Sequence, residues 1–188
     1  DALKKSGKAD NTYIVFTSDH GLAVGHHGLM GKQNMYDHSV RVPLTICGPG
    51  ITPEKRIDTP VYLQDIMPTT LEWAGVEKQE QVEFKSLVPL LAGKNETPYD
   101  SIYCAYMDTQ RMIAEGGYRL IHYPAVEVWL LFDTKNDPGE TINLAEGASF
   151  AAALKDGSEN RYSFKALFDG QPDTFLAITP PDQEINML

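Results

Sequence analysis

The chain has 188 residues, 42% of them hydrophobic, and a formal net charge of −10. That length fits one medium domain or one and a half small ones, and the apolar share argues against wholesale disorder. The acidic balance argues against a nucleic-acid partner, whose phosphates need a basic surface, and no stretch reaches the roughly 18–20 apolar residues of a membrane span.

Residues 1–12 are polar, and the run from Ala2 to Gly7 reads as a helix end with a glycine stop. Tyr13-Ile14-Val15-Phe16-Thr17 is β-branched and aromatic. Being apolar on both faces, it is expected to be a central strand of a parallel sheet. It ends at the polar turn Ser18-Asp19-His20-Gly21, at the strand edge where open α/β sheets gather their ligands. Residues 22–39 are rich in Gly and His and predict a long loop with a short helix near 34–39. Val40 to Cys47 predicts a strand whose start is weakened by Pro43. Gln64 to Ala74 predicts an amphipathic helix, with Pro68 near its first turn and Gly75 as its C-terminal stop.

Residues 77–85 are polar, and Ser86 to Leu91 predicts a short apolar helix. Runs at 101–107, 111–114, 118–123 and 128–133 predict an antiparallel meander, followed by a strong turn at Asn136-Asp137-Pro138-Gly139. A helix is expected around 148–155. Cys47 and Cys104 are too few for a disulfide framework and are expected to be two buried free thiols. Asn95-Glu96-Thr97 is a glycosylation sequon, though Pro98 follows it.

The chemistry concentrates in residues 17–44. Asp19 and His20 at a strand end can both ligate a divalent cation, and Gly21 lets the backbone turn behind them. Lys32, in the glycine-rich loop that follows, can return as a compact positive charge facing a sulfate or phosphate oxygen. His26 and His27 can serve loop packing, and His27 can equally act as a general acid. Asp37 and Arg41 read as an ion pair bracing the loop.

This stretch resembles the C-terminal signature of the sulfatase family of the alkaline phosphatase superfamily. That signature is a hydrophobic strand, S-D-H-G, a G-x-H-G loop, G-K and an R-V-P-L strand. Later segments agree: Asp65-Ile66-Met67-Pro68-Thr69, Ser86-Leu87-Val88-Pro89-Leu90-Leu91-Ala92-Gly93, Leu131-Phe132-Asp133, Asn136-Asp137-Pro138-Gly139-Glu140 and Asn143-Leu144-Ala145. The matches run in the family's order across about residues 11–146. The resemblance implies the C-terminal part of an α/β sheet domain over 1–76, followed by a small antiparallel α+β subdomain over 77–188. It makes Asp19 and His20 metal ligands, Lys32 the sulfate-contacting lysine and His27 a candidate acid, with Gln110 and Arg111 near the substrate. The implied metal is Ca2+, with Mn2+ or Zn2+ open because imidazole suits softer ions. The implied substrate is a sulfate ester, expected to be a carbohydrate, in a periplasmic or extracellular setting. Phosphonate monoester hydrolases share the D-H-G pattern and are the nearest rivals; a non-catalytic binding remnant is the alternative of another class.

The family's nucleophile is a formylglycine made from Cys or Ser within C-x-P-S-R or C-x-A-x-R. Neither Cys47, in Cys-Gly-Pro-Gly, nor Cys104, in Cys-Ala-Tyr-Met-Asp, has that context. Asp1 is not a natural initiator, so the formylglycine and any export signal are expected upstream. The isolated chain is therefore expected to retain metal poorly, and to pair with the N-terminal portion of the same protein or self-associate through its unpaired strand. It is also expected to turn over no sulfate ester. A sulfate-release assay on the isolated chain checks this, and measurable turnover contradicts it.

Overall fold

The computed structural model describes residues 2–94, 98–145, 149–154, 159–160 and 174–179. The sequon Asn95-Glu96-Thr97 lies outside the described residues. Contacts divide the chain into two compact units, 1–102 and 103–188. No helix among the described residues is long and apolar enough to cross a membrane.

The first unit opens with a helical turn α1 (Ala2–Lys5) that stops before Gly7 at φ 70°. Strand β1 (Ile14–Thr17) then pairs antiparallel with β2 (Leu44–Cys47), Ile14 facing Cys47 and Thr17 facing Leu44. Among the described residues β1 pairs with β2 alone, and antiparallel, which corrects the expectation of a central parallel strand. Exposure alternates along it, with Ile14 at 51% and Phe16 at 65%. A run that is apolar on both faces reads the same whether one face or both are covered. Cys47 is also exposed rather than buried, since it shares the open face of the ribbon with Ile14; Cys104 is half-buried, and both are free thiols. The predicted strand from Val40 begins only at Leu44. The helical turn α2 (Asp37–Val40) takes the preceding residues, and Pro43 cannot donate to a ladder.

Helix α3 (Ile66–Trp73) follows a 3-10 turn at Leu63–Asp65. It ends in a Schellman arrangement: the Gly75 amide donates to the Glu72 carbonyl and the Val76 amide to Leu71, with Gly75 at φ 68°. Trp73 stacks on Tyr13 with ring centroids 3.9 Å apart, tying the helix to the entrance of β1. The turn α4 (Val88–Leu91) comes where the apolar run predicts it.

Asp65 organises this unit. Its carboxylate is fully buried and accepts the Tyr62 amide at 2.8 Å, the Lys85 amide at 3.0 Å and the Tyr99 hydroxyl at 2.5 Å. Thr69 completes the clamp, its hydroxyl donating to the Asp65 carbonyl while accepting the Leu87 amide. Burial, reinforced by the bond to Asp65, raises the Tyr99 hydroxyl's pKa, so it stays protonated as a donor.

The second unit is built on the predicted meander: β3 (Ile102–Tyr106), β4 (Gln110–Glu115), β5 (Tyr118–Tyr123) and β6 (Val128–Asp133), hydrogen-bonded in that order. Leu120 and Leu131, directly opposite across β5 and β6, centre a cluster with Ile113, Trp129 and Leu144. The edge of β6 is closed by the Asn-Leu-Ala run. The Leu131 amide donates to Asn143 Oδ1 at 2.9 Å, and the Leu144 amide donates to the Leu131 carbonyl at 2.8 Å. Arg119 and Glu140, both buried, pair at 2.9 Å. The Asp137 carboxylate accepts the Thr141 and Ile142 amides, which fixes the predicted turn.

The helix expected around 148–155 is a strand instead. β7 (Ser149–Leu154) pairs antiparallel with β8 (Glu159–Asn160) and β9 (Thr174–Thr179). Its alanines favour a helix locally, and cross-strand pairing overrides that propensity.

Two stability predictions follow from buried groups. Asp65→Ala removes a buried acceptor shared by three donors and is expected to cost about 3 kcal/mol or more. Asp58→Ala, which removes only an exposed pair with Arg56, should cost under about 1 kcal/mol. Chemical denaturation of the two variants side by side checks this. His122 is buried and stacked on Trp129 at 3.5 Å. Desolvation lowers its pKa below the ordinary 6.5. The unfolded chain therefore binds the proton first, and stability should fall as pH drops below about 6.5 towards the folded value. His122→Phe should flatten that part of the curve, measured as denaturation midpoints at about pH 7.5 and 5.5.

Candidate functional site

Beyond Thr17 the chain leaves β1 and turns at Asp19-His20-Gly21. Gly21 is required here by close approach. Its amide donates to the Ser39 carbonyl at 2.9 Å, and a Cβ at this position would lie 2.0 Å from the His38 carbonyl oxygen. The backbone of α2 thus presses directly on the turn that carries the two candidate ligands. Buried Asn34, Met35 and Ser39 hold the returning segment in place.

His20 is oriented by its own neighbour. Its Nδ1 lies 2.8 Å from the Gly21 carbonyl. A carbonyl only accepts, so Nδ1 carries the proton. Its Nε2 lies 2.5 Å from the Lys32 ammonium. An ammonium only donates, so Nε2 presents a lone pair. The Asp19 Oδ2 sits 3.3 Å from the same Nε2. Once the Lys32 ammonium turns from Nε2 towards an anion, that lone pair and the adjacent Asp19 carboxylate oxygen form a donor set suited to a cation. The backbone-anchored tautomer is the arrangement that metal-ligating histidines use. The pair is accessible, with the Asp19 side chain 83% exposed and that of His20 36% exposed. Among the described residues no third His, Cys, Asp or Glu converges with these two.

Three of the expected site residues, Asp19, His20 and Lys32, are therefore brought together. His27 takes another place. It sits within the 3-10 turn His26–Gly28 at φ 52° and stacks on Tyr36 with centroids 4.0 Å apart, while His38 lies 5.6 Å away. Tyr36 is a site neighbour that the sequence pattern did not single out. Its signal was slight, an aromatic just before the Asp37–Arg41 pair. That pair is present at 3.5 Å. Gln110 and Arg111 belong to the second unit, at the start of β4. Arg111 Nη1 donates to the carbonyls of Met107 and Gln110 at 2.7 and 2.8 Å, and a guanidinium carries further donors beyond that nitrogen. Arg111 stands opposite His122 in the ladder.

Residues 25–161 match the family model of N-sulphoglucosamine sulphohydrolase, C-terminal. The chain belongs to the sulfatase family. It is 36% identical to a sulfatase of Formosa agariphila over 157 residues, covering 82% of this chain and 30% of that protein. It is 34% identical to the N-acetylglucosamine-6-O-sulfatase of Bacteroides thetaiotaomicron, with the same two coverages. Among solved structures, a protein in complex with its substrate D-glucosamine-2-N,6-O-disulfate superposes with a TM-score of 0.70 at 33% identity, over 76% of this chain and 31% of that one. The phosphonate monoester hydrolase of Silicibacter pomeroyi superposes with a TM-score of 0.67 at 28% identity, over 77% of this chain and 33% of that one. The chain thus spans about 30% of the length of the curated sulfatases it matches.

The close approach at residue 21 makes a prediction for this sulfatase segment. Gly21→Ala should push the turn away from His38 and separate His20 from Lys32. The His20 imidazole signals in a two-dimensional NMR spectrum should shift, while those of His122 in the other unit stay in place.

Proposed function

We propose that this chain supplies the cation-binding and oxyanion-binding residues of a sulfuric ester hydrolase. The observation that carries the reading is the convergence of Asp19, His20 and Lys32. Asp19 and His20 would hold a divalent cation. Calcium is the family's usual ion, and manganese or zinc fits the imidazole. When bound, that cation supplies Lewis-acid polarisation of sulfate oxygens. Formylglycine, expected upstream of these residues, would supply the covalent nucleophile. Lys32 stabilises negative charge building on the sulfate oxygens. His27, held against Tyr36, donates a proton to the leaving oxygen.

A sulfated carbohydrate is the substrate class best supported, by the name of the Bacteroides relative and by the disulfated glucosamine held in a solved neighbour. A periplasmic or extracellular setting suits such a substrate. Hydrolysis of phosphonate monoesters is the second reading, favoured by the likeness to the Silicibacter enzyme and by the imidazole at position 20.

In the full-length protein Lys32→Ala is expected to lower kcat for a sulfate ester by about 10²–10³-fold. His20→Ala is expected to weaken retention of the divalent ion in equilibrium dialysis. Unchanged turnover in the first variant would remove the assigned role of Lys32. Faster cleavage of an aryl phosphonate monoester than of the matching aryl sulfate would favour the second reading.

A further inference from the structure

Lys32 and a divalent cation compete for the same lone pair. A neutral imidazole offers a single acceptor nitrogen. In His20 that nitrogen is Nε2, because Nδ1 lies 2.8 Å from the Gly21 carbonyl and carries the proton. The Lys32 ammonium donates to Nε2 at 2.5 Å. A lone pair takes an N–H or a metal ion, not both at once. Two positive groups at such range also repel each other.

The surroundings decide which partner yields. The His20 ring is tied to the backbone of its own turn. That turn is tied in place by the Gly21 amide on the Ser39 carbonyl. The backbone on the lysine side is equally fixed. The Ala23 amide donates to the Gly31 carbonyl at 3.1 Å and the Asn34 amide to the Lys32 carbonyl at 2.9 Å, with Ala23 and Asn34 both buried. The Lys32 side chain, in contrast, is exposed. Its flexible four-carbon stem lets the ammonium swing without moving that backbone. The lysine is therefore the mobile half of the contact. An oxyanion within its reach offers an acceptor of opposite charge in place of a neutral nitrogen, and bonds between charged partners are the stronger ones.

We infer that Lys32 is a latch between the two halves of the site: it covers the His20 lone pair until an oxyanion draws it off, so that oxyanion and divalent cation bind cooperatively. This inference rests on the proposed roles of Asp19, His20 and Lys32 and adds a coupling between them. No proton changes hands. The ammonium stays charged, and His20 keeps its Nδ1–H. By linkage, the factor by which the anion tightens the cation is the factor by which the cation tightens the anion.

Nitrogen-15 NMR of the histidine rings and lysine ammonium groups in the metal-stripped full-length protein tests the latch, with inorganic sulfate and Zn2+ as probes. Sulfate should move the His20 Nε2 signal from that of a hydrogen-bonded lone pair to that of a free one, with Nδ1 still protonated. Lys32→Met should show the free signal with no sulfate present. Saturating sulfate should lower the Zn2+ concentration that half-fills His20 by about fivefold or more in the wild type. Lys32→Met should reach that lower concentration without sulfate. An Nε2 signal identical in wild type and Lys32→Met overturns the inference. So does an Nε2 that becomes protonated when sulfate binds, or a Lys32→Met variant that takes up Zn2+ no more readily than the wild type. Sulfate that moves the Lys32 signal and leaves His20 unchanged overturns the latch alone. Sulfate that moves neither signal, or Zn2+ that leaves His20 unmoved, removes the proposed site itself, and the latch with it.

Discussion

The site depends on one close backbone approach. At Gly21 the chain comes so near the carbonyl of His38 that no side chain fits between them. The amide of Gly21 is taken by the carbonyl of Ser39. This contact closes the loop 21–39 and sets the turn that carries Asp19 and His20. The carbonyl of the same glycine fixes the His20 tautomer, so one residue controls both where the imidazole stands and which nitrogen offers its lone pair. Lys32 then reaches that lone pair from the far end of the hairpin. The position of the turn and the orientation of the imidazole are both set by backbone groups.

Much of what makes the family signature recognisable does structural work away from this site. Asp65 and Thr69 of the D-I-M-P-T segment clamp a 3-10 turn, a helix and the 85–87 stretch through buried hydrogen bonds. Asp137 fixes a turn, and Asn143 closes the edge of β6. Glu140 neutralises Arg119 inside the second unit. A buried polar group left without its partner costs far more than an exposed one, so these positions admit few substitutes. The residues of the proposed site are more open: Asp19 and Lys32 are exposed and His20 is half-buried.

The β1–β2 ribbon leaves one apolar face open. Ile14 and Phe16 lie on a two-stranded sheet, too small to be stable alone, and the relatives are about three times as long as this chain. Association with another segment suits such a face.

The sequence by itself determined the order of the first unit's helices and the bounds of the four-stranded meander, because periodicity and turn chemistry are local. It also determined family membership and the grouping of Asp19, His20 and Lys32, because a strand end followed by a glycine-rich return leaves the chain few other paths. Tertiary structure decided the rest. Whether β1 runs beside a parallel or an antiparallel neighbour depends on residues thirty positions away, and its composition is the same in either case. The alanine-rich stretch at 149–154 became a strand through distant partners that its own propensity opposed. The tautomer of His20 and the stacking of His27 on Tyr36 are set by distances of a few ångströms between groups that sequence spacing cannot resolve.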